Sequence, residues 1–168
     1  MSLDVTLLLQ GFITHTSPAD LSTPTDEWER TVQYDWTDGV AVDQANRIFH
    51  DERTITASSN EDLDLAGSLT DKFGATITFA RIKALIIEAD DANANNVHVG
   101  GAASNPFINW VANSSDIVVV RPGGLFALIA PDATAYAVTA GSGDLLRIAN
   151  SGAGTSVVYR IWIIGAAT

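Results

Sequence analysis

The chain has 168 residues, 46% of them hydrophobic and 17% charged, with a formal net charge of −11 and no cysteine. That length fits one domain able to bury roughly 70% of its extended-chain surface, and the lack of cysteine excludes disulfides and thiolate metal sites. The acidity disfavours docking on a phosphate backbone, which needs a positive footprint, so no nucleic-acid partner is expected.

The charged fraction lies below the roughly 25% typical of soluble domains. Few charges combined with many apolar residues imply that surface beyond the core is covered by partners. Residues 1–75 hold 14 acidic and 4 basic side chains, a balance of −10, and residues 76–168 hold 6 and 5, a balance of −1. An acidic first half serves solubility or steers the chain toward a basic patch on another protein. Met1-Ser2-Leu3-Asp4 has no basic n-region, and Leu7-Leu8-Leu9 is too short for a signal core or a membrane span. Synthesis in the cytoplasm without export, and no membrane partner, are expected.

In chain order, residues 3–14 alternate Leu3, Val5, Leu7 and Leu9 with Asp4, Thr6, Leu8 and Gln10, which predicts a strand with one imperfect face. Residues 15–29 show no apolar period, and Pro18 and Pro24 each remove a backbone donor, which predicts a loop or extended arm ending at Trp28. Val32, Tyr34 and Trp36 alternate with Thr31, Gln33 and Asp35 in a second strand pattern, closed by the turn pair Asp38-Gly39. Residues 40–49 fit a strand or a short helical turn, and 53–57 a short strand. Ser58 to Asp62 opens a single helical turn or a turn leading into Leu63.

Residues 72–89 are the longest apolar element. Ile77, Phe79, Ile82, Leu85, Ile86 and Ile87 keep no single period, but β-branched residues dominate, which predicts strand with a bulge within 81–85. Apolar runs at 97–99, 117–120, 125–129, 136–139, 145–148 and 157–164 follow, separated by Gly, Asn, Asp, Ser and Pro clusters. Residues 90–96 read as a polar hairpin turn, and Arg121-Pro122-Gly123-Gly124 as a tight turn. Residues 105–112 form a connection carrying Phe107, Ile108 and Trp110, with a short helix over an open sheet edge as one reading. Short strands at this spacing predict an all-β fold, a β-sandwich or barrel. The expected division is an N-terminal strand and extended arm over 1–45 and a β-sandwich over 46–168.

No catalytic constellation stands out. His15, His50 and His98 lack metal-ligand spacing. Asp90, Asp91, Asn93, Asn95 and Asn96 have oxygen ligands that suit calcium, but without the EF-hand order, and an Asx-rich turn explains the same residues. No phosphate loop and no Gly-x-Ser-x-Gly frame is present. No enzyme activity, metal or cofactor is expected. The aromatic side chains suit a protein interface or a sugar platform; Trp28, Tyr34, Trp36, Phe107 and Trp110 are the contact candidates, and Trp162 in the last run is expected to be half-buried.

The order Leu63 to Leu69, Phe73-Gly74, a long strand, Val99-Gly100-Gly101-Ala102, Arg121-Pro122-Gly123-Gly124, Ala130-Pro131-Asp132-Ala133 and Asp144 to Ile148 resembles head decoration (cement) proteins of tailed bacteriophages, of jelly-roll type. The resemblance runs from about Arg47 to the end and rests on structural turns. It implies a virion protein that binds the outside of the capsid at junctions of the major capsid (coat) protein and stabilises the expanded shell. It further implies a homo-oligomer, trimer or dimer, with an N-terminal arm reaching a neighbour. The rival expectation is a carbohydrate-binding β-sandwich module of a phage tail or host-recognition apparatus, stacking sugar on Trp36 or Trp110.

Overall fold

The computed structural model describes residues 2–168. It contains twelve strands and, among the described residues, no helix: β1 (Val5–Thr16), β2 (Thr25–Asp38), β3 (Gln44–Ala45), β4 (Arg47–Ile55), β5 (Asn60–Asp64), β6 (Arg81–Ala89), β7 (Val97–Gly100), β8 (Ile117–Val120), β9 (Leu125–Ile129), β10 (Tyr136–Ala137), β11 (Leu145–Asn150) and β12 (Val157–Ala166). The fold is all-β, with several sheets arranged as a sandwich. Sheet one runs β9-β6-β12-β4, with the two residues of β10 continuing beside β6 where β9 ends. Sheet two runs β5-β11-β7-β8. Every pairing in these two sheets is antiparallel.

Period-two alternation decides which residues fill the space between the sheets. In β12, Val157, Tyr159, Ile161 and Ile163 enter the core while Val158, Arg160 and Trp162 point out half-buried. β11 answers with Leu146 and Ile148, and β7 with Val97 and Val99. Full burial of each such side chain contributes about 1.5–3 kcal/mol.

The irregular period of β6 has a specific cause. Ile164 faces Ala84 and Gly165 faces Ile82, so Lys83 stands unopposed as a bulge. The bulge turns both Ile82 and Leu85 into the core and leaves Ala84 outside it. Gly165 permits the close approach: a Cβ there would collide with the Arg81 carbonyl and sit 2.7 Å from the Phe79 ring.

Several expected connections take another form. Residues 90–96 do not close a hairpin; they carry the chain from β6 in sheet one to β7 in sheet two. Asn93 makes the crossing possible by pairing with β12 as a peptide unit would. Its Nδ2 donates to the Val158 carbonyl at 2.8 Å, and its Oδ1 accepts the Val158 N–H at 2.7 Å. Residues 105–112 form turns rather than a helix, because Pro106 removes a donor and Asp116 Oδ2 captures the N–H groups of Ala112 and Asn113 at 3.1 and 2.8 Å. Residues 76–80 lie outside the strand that begins at Arg81, and residues 58–59 form a turn into β5.

Residues 15–29 are the largest departure. Instead of a loop, β1 continues to Thr16 and β2 begins at Thr25, in unbroken register from Val5 opposite Trp36 to Thr16 opposite Thr25. The two prolines restrict only the connection, where Ser17 N–H still donates to the Pro24 carbonyl at 3.2 Å. Both faces of this stretch are exposed, so no burial pattern marks it; its pairing with β1 makes it strand.

Candidate interaction surface

The β1–β2 hairpin, extended by β3 pairing parallel to the end of β2, forms a third sheet. Its root lies on the outer face of sheet one. Trp36 and Ala45 are buried there with Ala84 and Ile164, flanked by Leu3, Val5, Leu7, Tyr34, Ile48 and Ile129. Trp36 stacks on Tyr34 with centroids 5.8 Å apart. The Trp36 Nε1 donor has no hydrogen-bond partner among the described residues, so packing alone holds the ring.

Residues directly opposite in an antiparallel pair share a face. One hairpin face therefore carries Val5 with Trp36, Leu7 with Tyr34, Leu9 with Val32, Gly11 with Arg30, and Ile13 with Trp28. At the root this apolar stripe is covered. Farther out, Leu9, Ile13 and Trp28 are 63%, 54% and 51% exposed. The Trp28 ring reaches over Gly11, with a ring carbon 3.5 Å from where a Cβ would stand there. The opposite face alternates Leu8 and Phe12, both exposed, with Thr6, Asp35, Glu27 and Glu29. β2 carries Asp26, Glu27, Glu29, Asp35 and Asp38 against Arg30, whereas β1 has no Asp, Glu, Lys or Arg. The projecting element is thus apolar and acidic.

The five candidate aromatics separate on this frame. Trp28 is exposed on the hairpin. Tyr34 is half-buried at its root. Trp36, 1% exposed, and Phe107, 3% exposed, are core residues, which corrects their assignment as contacts. Phe107 is drawn inward because its N–H donates to the Leu145 carbonyl at 2.9 Å, seating the ring against sheet two. Trp110 is half-buried; its Nε1 donates to the Phe107 carbonyl at 2.9 Å, and its ring meets Phe126 at 5.6 Å. Trp162 is half-buried, as its alternation suggests. Sequence reading missed Leu9, Phe12 and Ile13. Their signal was present in the strand of twelve residues that is apolar on both faces without one charge.

Elsewhere several polar side chains are engaged with the protein. Asp90 accepts the Ala92 N–H at 3.0 Å and an Arg160 nitrogen at 3.0 Å, which hold its carboxyl below the usual range. Arg160 also reaches Glu52 at 2.8 Å and Glu88 at 3.1 Å. Asn95 Nδ2 donates to Asn150 Oδ1 at 3.0 Å. Among the described residues, no three His, Asp or Glu side chains converge as a metal site. A cleft of about 550 Å³ beside β4 is lined by Asn46, Arg47, His50, Lys72 and Phe73 among others.

No family model, curated protein or solved structure matches the chain.

Proposed function

We propose that the chain is a structural virion protein: it binds the outside of a tailed-phage capsid at junctions of the major capsid protein, as a homo-oligomer, and stabilises the expanded shell. The observation that carries this reading is the β1–β2 hairpin, which presents Leu9, Ile13 and Trp28 exposed on an acidic frame and which this reading takes as the N-terminal arm. An isolated two-stranded hairpin is at best marginally stable in water, so a projection of this kind gains its order from a partner. A basic coat surface complements its charge. Strand orders β9-β6-β12-β4 and β5-β11-β7-β8, with the chain passing repeatedly between sheets, support a jelly roll of two Greek keys, an architecture used by viral capsid and lectin domains.

The lectin side of that comparison keeps the carbohydrate reading as the alternative. With Trp36 buried, its platform would be Trp28, which has an open face. The test is co-sedimentation with phage heads before and after expansion, using the intact chain and a variant in which a two-residue turn joins Leu8 to Gln33 in place of the distal hairpin. Saturable binding to expanded heads by the intact chain alone supports decoration. Equal binding by both proteins removes the hairpin from the interface. No binding to heads, with Trp28 fluorescence responding to polysaccharide, replaces decoration by the alternative.

A further inference from the structure

A sheet edge exposes unpaired backbone groups, and proteins guard such edges with charge, proline, bulges or brevity. Most edges of this chain are guarded. β4 carries Asp51, Glu52 and Arg53, with Lys72 Nζ 3.4 Å from Asp51. β5 carries Glu61, Asp62 and Asp64 in five residues, and β8 is four residues long. The β9–β10 side is broken by the 130–135 loop, which contains Pro131. β2 carries the hairpin's charges.

β1 has none of these guards. It is twelve residues long, unbulged, without proline and without Asp, Glu, Lys or Arg, and among the described residues it pairs only with β2. The hydrogen-bond phase is fixed by Ser17 N–H donating to the Pro24 carbonyl and by Thr37 N–H donating away from β1, to Asp43. Odd-numbered residues of β1 therefore exchange bonds with β2. Thr6, Leu8, Gln10, Phe12 and Thr14 aim their N–H and C=O at the open side.

We propose that β1 is a self-pairing edge: two copies of the chain join antiparallel along β1, about a two-fold axis normal to the hairpin, in a four-stranded sheet ordered β2-β1-β1-β2. The charge layout selects a second copy. The uncharged strands meet at the seam, and the two acidic β2 strands lie three strand spacings apart, roughly 14 Å, beyond the screening length of about 8 Å at physiological salt. A two-fold normal to the sheet keeps residues of one parity on one side. The apolar stripes of both copies, already docked at their roots, thus fuse into one face containing two sets of Leu9, Ile13, Val32 and Trp28. A seam of this kind is isologous. The inference rests on the homo-oligomeric part of the reading above and not on the capsid.

The experiment is sedimentation of the full chain across a wide concentration range, with Gln10→Pro and Gln10→Lys beside it. Gln10→Pro deletes one donor aimed at the seam and none used by β2, and proline is tolerated on an outward-facing edge. Gln10→Lys sets a charge into the seam. The wild type is expected at the mass of two chains, and each variant at half that mass. Amide exchange supplies a second readout: Leu8 and Phe12 are protected in the wild type and exchange freely in both variants, as does position 10 in Gln10→Lys, while Leu9 and Gly11 stay protected by β2. A wild-type mass of one chain, a mass of three, which a two-fold seam cannot close, or two variants that keep the wild-type mass would each overturn the proposal. A dimer that ignores phage heads refutes decoration while leaving the seam intact; a monomer that binds them does the reverse.

Discussion

Lys83 Nζ, fully buried, donates to the main-chain carbonyl of Ala41 at 3.1 Å, across 42 positions of sequence. The same ammonium donates to the carbonyls of Pro131, at 3.4 Å, and Asp132. The unopposed residue of the β6 bulge thus ties the segment behind the hairpin to the loop after β9. Burial lowers its pKa, and the nearby Asp132 carboxylate opposes that shift. Asp132 is itself drawn down to about 2, first by the Thr134 hydroxyl and then by the Ala135 and Thr134 N–H groups. Lys83→Met is expected to cost about 3 kcal/mol, because it leaves these carbonyls without their charged donor. Denaturant melts measure the cost. The loosening should appear first in exchange at Thr37 and Gly39, whose N–H groups bond Asp43 and Ala45.

Trp36 and Trp28 project from the same face of β2, eight residues apart, yet one is 1% exposed and the other 51%. Trp36→Ala should cost about 3–5 kcal/mol, falling on hairpin docking rather than on the inter-sheet core, which does not include Trp36. Trp28→Ala should stay within about 0.5 kcal/mol of wild type in thermal unfolding while removing about 2 kcal/mol or more of partner affinity, as an interface anchor does. Equal stability losses at the two positions would refute this division.

That contrast also shows what the sequence could reveal. The apolar run at 157–164 identified the β12 strand and half-buried Trp162, because one face packs on a core and the other does not. The conflicting period over 81–87 marked the bulge, since an inserted residue shifts the phase by one. Trp28 and Trp36 have the same alternation, however, and differ only in distance from the docked root, a tertiary property. Residues 15–29 hid their strand because neither face is buried, and residues 90–96 hid their crossing because Asx-rich turns serve hairpins and sheet-to-sheet passages equally. Phe107 was misplaced because a main-chain bond to Leu145, 38 positions away, draws it inward.

Gly165→Ala should be among the most damaging single-methyl changes in the body. The added carbon meets the Arg81 carbonyl and the Phe79 ring, both fixed by packing, so β6 and β12 must separate at the bulge. The cost of such overpacking is about 1–3 kcal/mol. Calorimetry should show it, whereas alanine at Gly154, where nothing lies within 4 Å, meets only the penalty of its φ of +93°.

The Tyr159 hydroxyl makes stability depend on alkaline pH. It is buried in the main core and donates to Glu61 Oε1 at 2.8 Å, while Arg53 Nη1 holds Glu61 Oε2 at 2.6 Å. Burial, then the Glu61 carboxylate, pushes the phenol well above its ordinary value. A free phenol ionises near pH 10. Below that pH both folded and unfolded chains keep the proton, and the contribution of Tyr159 is fully present. Above it the unfolded chain releases the proton while the folded chain retains it, so Tyr159 lowers stability by about 1.4 kcal/mol per pH unit. Tyr159→Phe keeps the ring and removes the titrating group. It should cost about 1 kcal/mol at pH 7 through the lost hydrogen bond and flatten the fall in stability above pH 10. Urea midpoints at pH 8, 10 and 11 test this, and parallel declines for the two proteins would show that another group governs the alkaline limb.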